Sequence, residues 1–174
     1  MGLLTFDPKK WHSCKEEDWR SCDRGVNCYS YVLDRPDYFW SVPGVGFFEM
    51  PAQKYIDAFN AHFSGSDREA FRSAMIAGAQ RDGLILVEEP LDREGYDLAA
   101  LFFAHDDEDF HWYRKDDDGT WSHKDGWHAP ARVEEHDDLN VDPRTYPPAT
   151  YPLFGGFFLV PRTGIRLERR SNFR

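Results

Sequence analysis

Residues 109–124 read DFHWYRKDDDGTWSHK, and this stretch decides the fold. Two runs rich in aromatic residues flank the acidic segment at 116–119, which ends in Asp-Gly. Asp-Gly readily adopts the left-handed backbone conformations that a tight hairpin turn requires. The stretch therefore predicts two adjacent antiparallel strands joined by a short turn. Because His111 begins the first strand and His123 ends the second, this turn brings both imidazoles to the same end of the ribbon.

Further strands are indicated by runs of aromatic and branched residues bounded by turn residues. These runs are 84–87, 96–104 and 156–160. Residues 51–62 and 66–82 carry apolar side chains at helical spacing, and the second segment starts with a capping box formed by Ser66 and Glu69. The pattern predicts an α+β fold, with N-terminal helices packed on an antiparallel β-sheet, in one domain over residues 1–174.

The charge of the chain disfavours nucleic acid as a partner. Its 31 acidic and 21 basic residues give a net charge of −10, whereas binding to a phosphate backbone needs clustered positive charge. The five arginines between residues 162 and 174 are expected to lie on a solvated tail. No apolar run reaches the roughly 18 residues of a membrane span, and Met1 is not followed by a secretory signal. We therefore expect no membrane span and a protein that is cytoplasmic as synthesised, or exported by a route that needs no signal peptide.

Three cysteines, Cys14, Cys22 and Cys28, lie in the first thirty residues. An odd number of cysteines, too few for a disulfide scaffold, predicts free thiols. A zinc site formed by these residues with His12 would lack the short Cys-to-Cys spacing that closes a structural zinc loop, so no metal is expected. The two acidic runs around the predicted hairpin lack the pattern of a calcium loop. We expect them to be solvated loop ends, and we expect no cofactor.

Residues 25–33, GVNCYSYVL, pass from a glycine-containing loop into a segment whose Tyr29, Val32 and Leu33 suit the buried side of a helix. Cys28 is thereby placed at a helix N-terminus. Unpaired amides and the positive end of the helix dipole favour a thiolate there, so the pKa of this thiol is expected to be lowered. The alternative is a buried, inert cysteine.

Asn27 precedes this cysteine and has two alternative roles. It assists the backbone amide of Cys28 in holding an oxyanion, or it caps the helix. Three tryptophans are candidates for the lining of a substrate cleft, with at least one of them in the core instead; they are Trp112, Trp121 and Trp127. A histidine of the hairpin then supplies a base for the thiol while a second polar group orients it, which is the arrangement of nucleophilic catalysis.

A cysteine that opens the first helix, followed by a histidine on a later strand, resembles the papain-like fold and in particular its NlpC/P60 branch. In that branch the catalytic histidine starts one strand, and a third polar residue lies on the next strand. The chain is also similar to an uncharacterised group of bacterial proteins over three segments, which are 27–33, 111–124 and 157–161. The resemblance implies a cysteine hydrolase with Cys28 as the nucleophile and His111 and His123 as the other members of the triad.

A second assignment stays open within this resemblance. In the order typical of papain itself, His123 is the base and a downstream residue orients it; the candidates are Asp137, Asp138, Asn140 and Asp142. Either assignment implies a hydrolase or acyltransferase acting on an amide or ester bond, such as a protease, a peptidoglycan amidase or a deamidase. The implied partner is a protein or peptide substrate, peptidoglycan included. For a toxin or effector, an inhibitory or immunity protein is a further partner.

The rival hypothesis is a non-catalytic protein-binding module that keeps this fold and uses the aromatic hairpin as its contact surface. Thiol reactivity separates the two hypotheses. An activated Cys28 is alkylated quickly below neutral pH, whereas a buried structural thiol is not.

Overall fold

A computed structural model describes residues 4–22, 25–105, 108–134, 138, 141–145, 147 and 149–173. The described helices are α1 (Cys28–Val32), α2 (Ala52–Phe63) and α3 (Arg68–Arg81), preceded by short 3-10 helices at Pro8–Lys10 and Glu16–Ser21. The described strands are β1 (Trp40–Val42), β2 (Gly46–Phe48), β3 (Ile85–Val87), β4 (Tyr96–Phe103), β5 (Phe110–Lys115), β6 (Trp121–His123), β7 (Ala131–Arg132), β8 (Leu153–Pro161) and β9 (Arg169–Arg170). The fold is α+β, with helices packed on a large antiparallel sheet, and the predicted class is confirmed.

The large sheet has six strands in the order β3-β8-β4-β5-β6-β7, and each is antiparallel to its neighbours. β4 pairs with β8 along its whole length. β8 begins earlier than the sequence predicts, at Leu153, because the ladder continues past a register shift. Gly155 is the extra residue there, opposite the junction of Leu101 and Phe102, as in a β-bulge.

The predicted hairpin consists of β5 and β6, with Tyr113 directly opposite His123. Its turn closes through a 2.9 Å hydrogen bond that the Gly119 amide donates to the Asp116 carbonyl oxygen. Gly119 has a φ of 86°, which glycine adopts without the steric cost that other residues meet. The hairpin prediction is confirmed.

Side chains alternate between the two faces of the large sheet, as the two-residue period of a strand requires. Along β4, Leu101 joins the buried cluster on the helix side, whereas Phe102 joins the cluster on the other face. Cys28 and Trp112 belong to the helix-side cluster. α1 therefore packs against the face of β5 that carries Phe110 and Trp112, whereas His111 lies on the other face with Tyr113.

The sequence does not predict the second, three-stranded sheet. β1 and β2 form a short antiparallel hairpin, and β9 pairs in parallel with β2. Strands this short offer too few positions for an alternating pattern to be recognised. β9 consists of Arg169 and Arg170, which the sequence places on a solvated tail. Both side chains are exposed, but their backbone joins the sheet, and they form ion pairs with Glu49 and Glu168.

The two long helices lie close to their predicted positions. α2 is one residue away from its predicted bounds at each end, and Pro51 is its N-cap residue instead of part of its first turn. α3 starts at Arg68 with Asp67 as its N-cap residue, whose carboxylate accepts a 3.2 Å hydrogen bond from the Glu69 amide. The predicted capping box led by Ser66 is therefore wrong, because the carboxylate one position later provides the cap. Within the described part of the chain, no helix is both long and apolar enough to cross a membrane.

Cys14 and Cys22 form a disulfide, so the expectation of free thiols is wrong for these two residues. Their Cα atoms are 6.0 Å apart, a separation that suits a disulfide. His12 lies beside this pair, with its ring nitrogen within 4.8 Å of both sulfur atoms. Because the two sulfurs are bonded to each other and Cys28 lies outside this group, the described residues do not form a four-ligand zinc site.

Gly78 of α3 is buried where the helix backbone approaches the β1–β2 turn. A Cβ at this position would clash with the carbonyl oxygen of Pro43, a main-chain atom that cannot turn aside. We expect Gly78→Ala to lower the free energy of unfolding by about 1–3 kcal/mol through overpacking. Alanine is the better helix former by about 1 kcal/mol, so helix propensity alone predicts the opposite sign.

Urea unfolding followed by circular dichroism measures this effect. The matched control is Ser73→Ala, which changes an exposed position of the same helix and should be neutral or slightly stabilising. If Gly78→Ala were as stable as the parent protein, the close contact between α3 and the turn would be disproved.

Candidate functional site

A cavity of about 670 Å³ lies where the N-terminus of α1, one side of α2, the start of β5 and the segment that follows β6 meet. Cys28, His111 and Asn27 all line this cavity. Much of its remaining wall is aromatic and includes Tyr55, Phe59, Trp127 and Tyr151. The volume is in the range of cavities that bind small molecules or single side chains. Two of the predicted catalytic residues are therefore brought to one site.

Cys28 is the first residue of α1, and its side chain is buried. Its thiol donates a 3.9 Å hydrogen bond to the carbonyl oxygen of Phe110, and the Trp112 amide donates to the sulfur. The sulfur therefore lies against the main chain on either side of His111. Among the described contacts, no hydrogen bond joins this sulfur to an imidazole.

Burial raises the pKa of the Cys28 thiol far above its ordinary value, although a hydrogen bond from the Trp112 amide acts in the opposite direction. The negative charges of Asp109 and Asp125 raise it further. The expected lowering of this pKa by the helix dipole is therefore wrong. α1 has only five residues, and the loss of hydration outweighs the field of so short a helix. The resting thiol is protonated at neutral pH.

His111 and His123 meet as predicted, with Nε2 of His111 lying 2.8 Å from Nδ1 of His123. Because Tyr113 is directly opposite His123, His111 is the diagonal neighbour of His123 on the same face of the sheet. Burial lowers the pKa of His111 well below its ordinary value, and the charge of a protonated His123 lowers it further. Burial also lowers the pKa of His123, against the charge of Asp125. Both imidazoles are therefore uncharged at neutral pH.

Tyr151 lies against the imidazole of His111, with ring centroids 4.9 Å apart and an interplanar angle of 19°. Its hydroxyl donates a 2.8 Å hydrogen bond to Oδ2 of Asp109. This contact fixes one face of the histidine. The sequence identifies neither residue: Tyr151 belongs to a proline-rich connection, and Asp109 belongs to an acidic run expected in solvent. Asp109 is instead half-buried and bonded to the tyrosine.

Asn27 is the N-cap residue of α1. Its Oδ1 accepts a 3.3 Å hydrogen bond from the Ser30 amide and another of 3.3 Å from the Ser41 amide. Its Nδ2 donates a 2.7 Å bond to the Ser41 carbonyl oxygen. The capping role is therefore confirmed, and the same side chain ties the helix start to β1.

The acidic candidate Asp142 does not join the histidines. Its carboxylate forms a 2.8 Å ion pair with Arg144, and this contact holds the pKa of Asp142 below its ordinary value. The described contacts of Asp142 include neither histidine of the pair. Asp137 lies outside the described residues. Asn140 also lies outside the described residues. Between Asp142 and His123, it is His123 that the described contacts place against another catalytic candidate.

Trp127 lines the cavity, whereas Trp112 and Trp121 are core residues on opposite faces of the large sheet. The ring of Trp127 stacks on Trp19, with centroids 4.2 Å apart. The Cys14 amide donates a 2.9 Å hydrogen bond to the Trp127 carbonyl oxygen. The segment closed by the disulfide therefore supports this wall of the cavity.

Lys124, directly after His123, is completely buried. Its Nζ donates a 2.7 Å hydrogen bond to the Gly126 carbonyl oxygen. Burial lowers the pKa of Lys124 to about 7, against the negative charge of Asp125. The sequence pattern does not identify this lysine as a site residue, although strand alternation places it on the opposite face from His123. A lysine in an otherwise polar segment gives no sign that it will be buried.

The fold and the site thus define an α+β protein in which a cysteine and a histidine line one cavity and a second histidine contacts the first. No family model and no solved structure matches the chain. The chain is similar to insoluble matrix shell protein 1 of Ruditapes philippinarum, with 26% identity over 161 residues. The aligned region covers 92% of this chain and 93% of that protein, so the similarity concerns nearly the whole of both.

Proposed function

We propose that this protein is a thiol hydrolase or acyltransferase of papain-like fold that acts on an amide or ester bond. Cys28 is the nucleophile, His111 is the base and His123 orients the base. The observation that carries the proposal is that Cys28 and His111 line one cavity while Nε2 of His111 forms a hydrogen bond with Nδ1 of His123. A helix that opens with the cysteine and packs on the histidine-bearing strand supports the papain-like assignment.

The tautomer follows from the roles of the two rings. When Nε2–H of His111 donates to Nδ1 of His123, the lone pair on Nδ1 of His111 is free to accept the thiol proton. Because His111 lines the cavity and His123 lies behind it, His111 is the ring that a substrate meets. This favours His111 as the base over the assignment with His123 as the base.

In the proposed reaction, Sγ of Cys28 turns away from the Phe110 carbonyl oxygen and attacks the substrate carbonyl carbon. The thiol proton passes to Nδ1 of His111 as the carbon–sulfur bond forms, and the backbone amide of Cys28, at the start of α1, holds the oxyanion. The imidazolium then gives its proton to the leaving amine or alcohol. Water, activated by the same imidazole, hydrolyses the thioester and regenerates the thiol; in an acyl transfer, an amine or alcohol replaces this water.

The resting site holds a neutral thiol and a neutral imidazole, because burial raises the pKa of Cys28 and lowers the pKa of His111. Proton transfer therefore accompanies the attack, as in a serine hydrolase. We expect activity to increase as the pH rises through the lowered pKa of His111 and to be present at neutral pH. Fast alkylation below neutral pH is no longer expected of this thiol.

The disulfide bears on where the protein acts. A bond between Cys14 and Cys22 persists in an oxidising compartment and is reduced in most cytosols. We propose that the protein acts after export, on a protein or peptide substrate. The similarity to a protein named for an insoluble shell matrix agrees with a location outside the cytosol.

Acylation by p-nitrophenyl acetate tests the proposed function without knowledge of the natural substrate. We expect a burst of p-nitrophenol and an acetyl group on Cys28, located by mass spectrometry, and neither in Cys28→Ala. His111→Ala should lower the acylation rate by about 100-fold or more, the usual loss when a general base is removed. His123→Ala should lower it less, because the base remains but is no longer held in one tautomer.

The matched control for these variants is His12→Ala, which removes an exposed histidine beside the disulfide and should not alter the acylation rate. Circular dichroism shows whether each variant is folded. Acetylation of Cys28 at the same rate in His111→Ala and the parent would rule out His111 as the base. No acetylation of folded parent protein across the range from neutral to alkaline pH would reject the hydrolase proposal.

A second candidate function is a non-catalytic binding module, and two observations favour it. The thiol of Cys28 is buried and hydrogen-bonded to the backbone instead of to a base. The similar shell protein is, by its name, a component of a matrix. In this function the cavity binds a side chain of a partner protein, and Cys28 is a packing residue. The acylation experiment separates the two functions.

A further inference from the structure

We infer that the cavity is specific for a positively charged side chain, lysine or arginine, carried by the peptide substrate. This inference rests on the proposed function, because it names the substrate class of the same site. The charges around the cavity, the helix end that lines it and its aromatic wall all favour a bound cation.

Among the described residues, three carboxylates line the cavity; they are Glu108, Asp109 and Asp125. Asp109 accepts hydrogen bonds from the Phe110 amide and the Tyr151 hydroxyl, each at 2.8 Å. The described lining residues include no lysine or arginine, and the imidazole of His111 is uncharged at neutral pH. The described part of the lining therefore carries net negative charge.

This negative charge acts across the cavity. Asp109 raises the pKa of Tyr55 on α2 and of Tyr151, in addition to the larger effect of burial on each. Because the electrostatic field of Asp109 reaches groups on several walls of the cavity, the same field attracts a cation bound between those walls. Charged clefts with low-dielectric walls concentrate ions of the opposite sign.

The last turn of α2 supports the same specificity. Phe63, the C-cap residue Ser64 and Gly65 line the cavity at the end of this twelve-residue helix. The unpaired carbonyl groups of a helix C-terminus carry partial negative charge and favour cations. Tyr55, Phe59 and Trp127 offer ring faces to the aliphatic stem and the charged head of a lysine or arginine.

Charged thiol reagents test the inference at the nucleophile itself. Methyl methanethiosulfonate is the neutral probe, and its trimethylammonioethyl and sulfonatoethyl analogues are the cationic and anionic probes. In each reaction the sulfur of Cys28 bonds to the sulfenyl sulfur, methanesulfinate leaves with the electron pair of the broken sulfur–sulfur bond, and the thiol proton goes to the imidazole or to water. Rates are divided by those of free cysteine with the same reagents.

We expect the normalised cation-to-anion rate ratio at Cys28 to be at least about tenfold, within the range of electrostatic focusing. Asp125→Asn and Glu108→Gln should each lower this ratio, and added salt should lower it as well. The matched control is Asp92→Asn, which makes the same change in net charge at an exposed residue away from the cavity. This control should leave the ratio unchanged.

The probes separate a failure of the inference from a failure of the proposed function. If the neutral probe labels Cys28 but the normalised ratio is one, the cation specificity is rejected and the accessible nucleophile is retained. If the neutral probe leaves folded protein unlabelled, the proposed function is rejected. Titration calorimetry with the Cys28→Ser variant then tests the cation specificity without the thiol. N-acetyl-lysine amide should bind to the cavity, and the uncharged N-acetyl-norleucine amide should not. If both ligands bind equally, or if neither binds, the cation specificity is rejected.

Discussion

Replacing Arg114 by leucine is expected to lower the free energy of unfolding by about 3–5 kcal/mol, because the change breaks a buried ion pair from one side. The side chains of Arg114 and Asp116 are each 1% exposed, and Nε donates to Oδ1 over 3.0 Å. Asp34 accepts a second hydrogen bond from the guanidinium at 3.3 Å. Leucine keeps some of the packing against the ring of Tyr31, which lies 4.0 Å from the guanidinium carbon. The carboxylate of Asp116 is left buried without its cation.

The comparison that isolates the ion pair is a double variant, Arg114→Leu with Asp116→Leu. It should recover part of the lost stability, since a buried pair replaced by apolar residues of similar size is often neutral. The control Lys115→Gln removes the neighbouring cation, which pairs at 3.4 Å with the exposed Asp92, and should cost less than about 1 kcal/mol. Urea unfolding at one pH measures all three variants. A loss as small as that of the control would show that the Arg114 pair is not buried.

This ion pair also concerns the candidate site, because Arg114 lies on the strand that carries His111. Its Nη1 donates a 3.4 Å hydrogen bond to the Tyr31 carbonyl oxygen in α1, the helix that Cys28 begins. The guanidinium therefore joins the helix of the nucleophile to the strand of the base. We expect Arg114→Leu to acylate more slowly than the parent at temperatures where both are folded.

The parts of the site that the sequence could predict are those set by local rules. The Asp-Gly turn and the aromatic runs beside it predict the β5–β6 hairpin, and the hairpin alone brings His111 to His123. Cys28 at a helix start follows from the asparagine before it and the apolar spacing after it. Each of these inferences depends on residues close together in the chain, so the period of a strand or the chemistry of a turn is sufficient.

The remaining parts depend on burial and on contacts between distant residues, which local patterns do not contain. The pKa of Cys28 is set by desolvation, and the sequence shows only the short helix whose dipole opposes it. The stacking of Tyr151 on His111 needs the position of a loop that packs against β5. The disulfide between Cys14 and Cys22 needs the path of the chain around Trp19. A count of cysteines cannot supply that path.

Lys124 is expected to make the stability of the protein increase with pH above neutrality. Its pKa in the folded protein is lowered to about 7 by burial, whereas an unfolded lysine has its ordinary value near 10.5. Between these two values the unfolded chain binds the proton and the folded protein does not, so raising the pH removes a cost of folding. Below the folded pKa both states are protonated, and the contribution of this lysine no longer depends on pH.

The measurement is the free energy of unfolding of the parent minus that of Lys124→Met, at several pH values from 6 to 9. Taking the difference cancels the titration of Cys28 and of the buried tyrosines, which both proteins share. We expect the difference to be flat below about pH 7 and to rise by about 1.4 kcal/mol per pH unit above it. Lys115→Met, a lysine replaced at a partly exposed position of β5, is the control and should give no such rise.

The pH dependence of this free-energy difference also concerns the candidate site, because Lys124 contacts the segment that leads into Trp127. Its Nζ is bonded to the Gly126 carbonyl oxygen, and Gly126 and Trp127 both line the cavity. Protonation favours hydration of this lysine, so lowering the pH through its pKa weakens the support of that wall. A flat difference over the whole range would mean that Lys124 is charged and hydrated at neutral pH, and the wall beside Cys28 would then be more open than the packing of β6 indicates.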